Sequence, residues 1–409
     1  MSDLDLSPMT AADGPTLPLF GEEHDQLRSS ARAFVDREIV PNVEAWERDQ
    51  QVPRELFERV GDAGFLGLRF APEVGGSGPD VLAQAVWIEE LARALCGGVA
   101  ADLGASSDLA ATYIDAAGTD AQRQRFLPPL LKGTRIGALA ITEPGAGSDV
   151  ASIATRARRD GDGWILDGSK VFITNGARCD DVVVAAMVSP DDGAPGDDPH
   201  ARLTLFLVSA DAAGFDRRRL PMLGWRTSYT GELTFDGVRL GDDRRLGDVG
   251  AGFGHIMAAF AWERLAMSLG AVASAERTLE LGITYAQQRE AFGRPIARFQ
   301  VWKHRFADCR ADIATGRAVT YQALRLVVAQ AERGAAVDPT EVIRTVAMAK
   351  LATQRLAFEV ADECLQVHGG AGYMMEYPIQ RVWRDTRLGP IGGGTDQIMR
   401  GIIAKTLGL

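Results

Sequence analysis

Cysteine is scarce in this chain. Four residues in 409 (Cys96, Cys179, Cys309, Cys364) lie far apart with no CxxC pair, which excludes a disulfide scaffold or a thiolate zinc site and suits reduced thiols in a cytosol-like compartment. Histidine is equally sparse, at five residues. His255, His304 and His368 lack metal-ligand spacing, and no Ser-His-Asp set suggests itself, so metal catalysis and acyl-enzyme chemistry are not expected. A basic excess is missing too: the formal net charge is -11, which argues against a binder of phosphate backbones while leaving room for one anionic ligand in a local basic pocket. No run reaches the ~18 uninterrupted apolar residues of a membrane helix, so no membrane partner is expected. No segment repeats at a period of 20–50 residues. The opening MSDLDLSPMTAADGPTLPLF has neither an apolar signal core nor the arginines of a transit peptide, and reads as a loose tail (residues 1–20) on a cytoplasmic protein.

What is present is an ordinary globular composition, 46% apolar and 24% charged, long enough for two or three domains. Helical periodicity dominates from Glu22 to about Lys132, interrupted by the turn PEVGGSG (72–78). Around Ile136 the character changes. WILDGSKVFIT (164–174) reads as a hairpin turning at Asp167-Gly168. DVVVAAMV (181–188), RLTLFLV (202–208) and GELTFDGVRL (231–240) read as short strands, and the acidic run 189–201 as a surface loop. Helices return at about 252–289, 299–333, 340–367 and 395–406 and suggest a bundle. The expected fold class is therefore mainly α with a β middle domain. Its expected divisions are 21–135, a helical domain; 136–250, a small β domain; and 251–409, a C-terminal bundle.

The stretch GHIMAAFAWERLAMSLGAVASAE (254–276) reads as one long buried helix whose interior carries only Glu263 and Arg264 as charges. Glu263 shares its face with Ala259, Phe260, Ala266 and Met267. A carboxylate among such neighbours loses hydration, so its pKa is expected to rise toward that of a useful general base. A structural ion pair, or a helix end dipping into solvent, fits the same spacing. Three glycine-rich turns are candidates as well: AITEPGAGSD (140–149), QVHGGAGY (366–373) and GPIGGGTDQI (389–398). The first can bring backbone N–H groups to a phosphate or to the polar edge of a ring. Neither the second nor the third follows a strand in a βαβ unit, which argues against a Rossmann site, and the place of all three at domain junctions suggests one large cofactor lying across them. In QREAFGRP (288–295), Arg289 and Arg294 flank Phe292-Gly293, where an arginine could meet a pyrophosphate and Phe292 a ring; a solvated helix end and turn fits as well.

Together PEVGGSG, AITEPGAGSD, FITNG (172–176), QREAFGRP, QVHGGAG, EYPIQRVWRD (376–385) and GGTDQI (393–398) resemble the acyl-CoA dehydrogenase family of flavoenzymes, in its order and spacing, from about residue 21 to the last residue. The resemblance implies the helical–β–four-helix-bundle architecture, usually as a homotetramer, and FAD in an extended pose. Ile141 and Thr142 would meet the pyrimidine edge of the flavin and Gly147-Ser148 its pyrophosphate side, while Phe172 and Thr174 would cover the ring. Arg289, Phe292, Gln300, Gln366 and Gly370 would hold the diphosphate and adenosine, partly across a subunit interface, and Thr395 and Gln397 would complete the site.

Many members place the catalytic glutamate directly before the Gly-Thr pair, where this chain has Gly393. The long-chain and isovaleryl branches carry it in an ERL-type stretch, matched here by Glu263-Arg264-Leu265. The implied reaction is α,β-dehydrogenation of an acyl-CoA thioester. Glu263 is then the base, the Gly393 N–H a donor to the thioester oxygen, and Arg264 and Ser148 substrate contacts. Electrons pass to an electron-transferring flavoprotein. Ala261 replaces an aspartate that many relatives carry near the pantetheine, which leaves room for a carrier-protein thioester as the substrate. An acyl-CoA oxidase or flavin monooxygenase of the same fold competes with the dehydrogenase reading, as does a non-catalytic binding protein.

Overall fold

The computed structural model describes residues 19–409; the tail expected over 1–20 falls almost wholly outside them. Among the described residues seven helices come first: α1 (Glu22–Phe34), α2 (Val43–Asp49), α3 (Glu55–Asp62), α4 (Val81–Ala92), α5 (Gly97–Gly104), α6 (Thr112–Ala117) and α7 (Asp120–Leu131). Between α5 and α6 the chain widens into π-helical turns over Ala105–Ala111. Eight strands follow, β1 (Gly137–Ala140), β2 (Arg156–Asp160), β3 (Gly163–Ile173), β4 (Asp181–Val188), β5 (Leu203–Ser209), β6 (Phe215–Arg219), β7 (Gly231–Gly241) and β8 (Arg245–Leu246). Helix α8 (Gly252–Gln288), a two-residue ribbon of β9 (Glu290–Ala291) and β10 (Arg294–Pro295), α9 (Gln300–Arg333), α10 (Pro339–His368), α11 (Pro378–Thr386) and α12 (Asp396–Thr406) complete the chain. The expected helical–β–helical order is the observed one.

By their internal contacts the described residues divide into two compact units, 44–81 with 98–263, and 19–43 with 82–97 and 264–409. The first is built on the sheet, in the order β6-β7-β3-β2-β4-β5-β8, with β1 parallel to β4. Every residue of β4 is buried, because its two faces serve two cores. Val183, Ala185 and Met187 join Tyr113, Phe126, Leu127 and Ile256 of the helices. Val182, Val184, Ala186 and Val188 meet Trp164, Leu166, Phe235 and Val238 across the sheet. That double burial explains the unbroken apolar run DVVVAAMV, since a strand covered on both sides has no polar face to alternate with.

The hairpin expected over 164–174 is not formed. WILDGSKVFIT is most of one continuous strand, β3, and the turn lies earlier, where Asp160 pairs with Gly163 at the end of β2. Asp167-Gly168 is instead a bulge: pairing with β7 shifts between Leu166 and Gly168, and a Cβ on Gly168 would fall 2.7 Å from the Thr155 Cα. Asp-Gly signals a positive-φ position equally well in a tight turn or in a bulge.

The second unit is helical. Val272, Ala275 and Leu279 of α8 share a core with Ile313 of α9, Val360, Ala361 and Cys364 of α10, and Ile379 and Val382 of α11. Gly282 lets α8 approach α10 closely: a Cβ there would meet the Cys364 Sγ at 2.7 Å. By length and composition alone α8 could cross a membrane; Val272, Ala275 and Leu279 are buried in this interior, while Ile256 packs in the helix–sheet core. The expectation of a helix buried on every face needs correction over its first turns, where Gly254, Met257 and Ala258 are exposed and Glu263 and Arg264 are half-buried.

Candidate functional site

Glu263 ends the part of α8 that belongs to the sheet-bearing unit. The Tyr113 hydroxyl donates to its Oε1 at 3.0 Å. Tyr113 is anchored by complete burial of its ring in the helix–sheet core, so only the hydroxyl end is left to bond. One residue back along α8, the Trp262 indole N–H donates to Asp108 Oδ1 at 2.9 Å. The Arg69 guanidinium lies 4.0 Å over the Trp262 ring, with its Nη1 3.9 Å from Asp108. Burial pushes the Arg69 pKa down, against the pull of Asp108. Asp108 and Tyr113, in and just after the π-helical turns, thus grip successive residues of α8. The sequence placed Glu263 among alanine, phenylalanine and methionine. The structure adds a hydroxyl aimed at one carboxylate oxygen, so the group is both half-buried and oriented.

In the same unit the loop after β1 is held by a buried ion pair. Lys170 Nζ, with no exposed surface, donates to Glu143 Oε1 at 2.8 Å and to the Ile141 carbonyl at 2.9 Å. Glu143 also accepts the Ala154 N–H (2.6 Å) and Thr155 N–H (3.0 Å). Burial works against its charge, but Lys170 and these donors hold its pKa below the usual range. Burial pushes Lys170 down to about 8. The Thr142 carbonyl accepts the Val171 N–H at 2.9 Å.

These bonds bring Ile141 and Thr142 alongside the Lys170–Phe172 stretch of β3. Phe172 holds φ at +61°, a conformation that costs a non-glycine residue, and its ring is 69% exposed. Gly145 and Gly147 have open space where a Cβ would stand, and Ser148 is exposed beside them. Thr174 is half-buried. Next to it Asn175 donates to the Asp102 and Gly137 carbonyls at 2.7 and 3.1 Å. Phe172 is thus a strained, exposed aromatic, and the Gly145–Gly147 turn leaves open space along its backbone, so both are available to a ligand.

In the helical unit the third glycine turn is braced from two helices. Arg264 Nε of α8 donates to the Gly393 carbonyl at 3.3 Å. Lys350 of α10 donates to the carbonyls of Gly389 (2.9 Å) and Gly394 (2.6 Å). Gly393 and Gly394 have φ of +63° and +93°, and a Cβ on Gly393 would lie 2.4 Å from the Met267 Sδ. A glutamate here would need both strained backbone and a displaced methionine, in keeping with a base carried elsewhere. Thr395 caps α12, its Oγ1 accepting from the Ile398 N–H at 3.3 Å, and Gln397 stands exposed on the first turn.

QREAFGRP proves to be a small hairpin rather than a plain helix end. Phe292 and Gly293 turn between β9 and β10, both at positive φ, as a two-residue turn of the primed type requires. Phe292 sits at its tip, 96% exposed. Arg289 precedes it and is exposed, as are Gln300 at the start of α9, Gln366 on the last turn of α10 and Gly370 just beyond. The Tyr285 ring stacks on His368 at 4.0 Å and its hydroxyl donates to the His368 carbonyl, which joins the hairpin's root to the end of α10.

Three supports escaped the sequence reading: Tyr113, the Lys170–Glu143 pair and Lys350. For Lys350 a signal existed. It is the sole charge between Arg344 and Arg355, the same isolation that drew attention to Glu263 and Arg264.

Known proteins share this architecture and these sequence blocks. Residues 21–134, 138–238 and 250–408 match, in turn, family models for the N-terminal, middle and C-terminal domains of acyl-CoA dehydrogenase. The mouse mitochondrial long-chain specific acyl-CoA dehydrogenase is 39% identical over 95% of this chain and 87% of its own length. Among solved structures, an acyl-CoA dehydrogenase from Geobacillus kaustophilus superposes with a TM-score of 0.89 at 36% identity, covering 96% of this chain and all of its own. A Mycobacterium smegmatis glutaryl-CoA dehydrogenase in complex with FADH2 superposes at 0.85 and 30% identity, covering 95% of each chain.

Proposed function

The chain belongs to the acyl-CoA dehydrogenase family of oxidoreductases, and from that premise we propose that it dehydrogenates the α,β carbons of an acyl-CoA thioester with FAD, passing the electrons to an electron-transferring flavoprotein. The observation that carries the reading is Glu263, gripped by the Tyr113 hydroxyl, immediately before Arg264, which braces the Gly393 turn. Glu263 takes the α-proton. The Gly393 N–H donates to the thioester oxygen and stabilises the negative charge that gathers there. Arg264 keeps that turn in place, and Ser148 contacts the substrate.

FAD, when bound, supplies the acceptor for the hydride leaving the β-carbon. Ile141, Thr142, Gly147, Ser148, Phe172 and Thr174 would hold its ring and pyrophosphate side, and Thr395 and Gln397 would complete the site. Arg289, Phe292, Gln300, Gln366 and Gly370 would take the diphosphate and adenosine. The near-complete exposure of Phe292 in the single chain supports a homotetramer in which this tip reaches the cofactor of a second copy. The mouse relative's name puts long acyl chains first among candidate substrates.

Anaerobic titration of the FAD-loaded protein with straight, branched and aromatic acyl-CoAs tests the reading. Bleaching of the flavin by at least one thioester, with long chains ahead, is the expected result. Retained FAD that no thioester bleaches would overturn it.

A further inference from the structure

Lys350 stands in the middle of α10 with no exposed surface. Its Nζ donates to the carbonyls of Gly389 and Gly394, five residues apart, and so ties both ends of the glycine turn. The turn's own backbone bonds are Ile391 N–H and Gly392 N–H to Leu388 O at 2.8 and 2.9 Å and Asp396 N–H to Pro390 O at 3.1 Å, none of which holds Gly393 or Gly394. Gln354, one turn further along α10, limits it from below, since a Cβ on Gly389 would meet the Gln354 Oε1 at 2.1 Å. A buried ammonium is a costly way to hold a loop, because its desolvation cost is met only by good hydrogen bonds, whereas an apolar residue would fill the space without that cost. What the lysine adds is a fixed geometry and a positive charge next to the turn.

We propose that Lys350 is a positioning residue for the reaction, fixing the Gly389–Gly394 turn so that the Gly393 N–H stays aimed at the thioester oxygen; this rests on the acyl-CoA reading above. The charged groups that face Lys350 are Asp396, at the start of α12, and Arg264 of α8; Asp396 is itself bonded to Arg355. Burial pushes Lys350 down to about 8, with Asp396 opposing and Arg264 assisting. Loss of its proton turns two charge-assisted bonds into ordinary ones, which are roughly half as strong, and the turn loosens on the alkaline side.

The test compares FAD-loaded wild type, Lys350→Met and Lys350→Arg by anaerobic rapid mixing with an active acyl-CoA from pH 6.5 to 9.5. A second readout is the infrared carbonyl band of a bound thioester analogue bearing sulfur in place of the β-carbon, which cannot be dehydrogenated. Lys350→Met should slow flavin reduction roughly ten- to hundredfold, the range for losing hydrogen bonds from a charged donor, with little change in the thioester concentration at half-saturation. Its carbonyl band should move back toward that of the free thioester. Lys350→Arg should recover most of the rate at pH 7 and keep it above pH 8, where the wild-type rate falls. Wild-type rate and carbonyl band in Lys350→Met would overturn the proposal. Should that variant not fold, a wild-type rate that stays level through pH 9.5, or a Lys350→Arg rate that falls with it, would overturn it as well. A wild type that no thioester reduces marks failure of the functional reading itself and takes the proposal with it.

Discussion

Replacing Lys170 by methionine should unfasten the loop proposed to hold the flavin. Lys170 is fully buried, bonded to Glu143 and to the Ile141 carbonyl, and methionine matches its bulk without its charge. Removing one partner of a buried pair costs about 3–5 kcal/mol. Glu143 keeps two backbone donors, Ala154 and Thr155, which places the expected loss at the lower end, about 3 kcal/mol. That corresponds to roughly a hundredfold more frequent local opening. The Val171 N–H, bonded to the Thr142 carbonyl, reports on it directly by native-state hydrogen exchange, and FAD should dissociate more readily in parallel. Adding Glu143→Gln, which removes the orphaned charge but can accept only one of the Ala154 and Thr155 N–H groups through its single amide oxygen, should restore part of the protection. Unchanged exchange at Val171 in Lys170→Met would refute the argument that this pair holds the loop.

Tyr113→Phe removes a single hydroxyl from the Glu263 carboxylate and should lower turnover about tenfold while leaving the bound-flavin spectrum as it was; unaltered turnover would show that the grip does not matter. Asp102 is raised to about 6 by burial, against Arg178 and the Ser228 hydroxyl. Between the unfolded value near 3.8 and 6 the folded chain holds a proton that the unfolded chain releases, so this group's contribution to stability falls as pH rises through that window. The stability difference between wild type and Asp102→Asn, followed by thermal midpoint from pH 4 to 7, should therefore shift toward the variant with rising pH, by on the order of 1 kcal/mol per pH unit. A constant difference would refute it.

The helical–β–helical order was legible because it rests on periodicity. The long apolar helices of 252–406 and the doubly buried β4 announce themselves in composition. Short elements did not. The amphipathic α11 (Pro378–Thr386) passed as a motif, and β6 (Phe215–Arg219), with its arginines, carries too little apolar character to read as a strand. Asp167-Gly168 misled because a bulge and a hairpin turn ask for the same residues. At the site, Glu263 and Arg264 were visible as charges where none belong. Tyr113 was not, since a tyrosine in an apolar helix looks like core, and it is core apart from its hydroxyl. Its partner lies 150 positions away, a pairing that only the fold creates.

The proposal that Glu263 is the base meets its most direct test in the anaerobic flavin reduction of Glu263→Gln by an acyl-CoA that bleaches the wild type. Glutamine keeps the side chain's size and can still accept from Tyr113, but it cannot take the α-proton. The account predicts retained FAD, retained thioester binding and reduction slowed at least about a thousandfold, the upper part of the range for general-base catalysis. Reduction near the wild-type rate would contradict it and return Glu263 to a structural role.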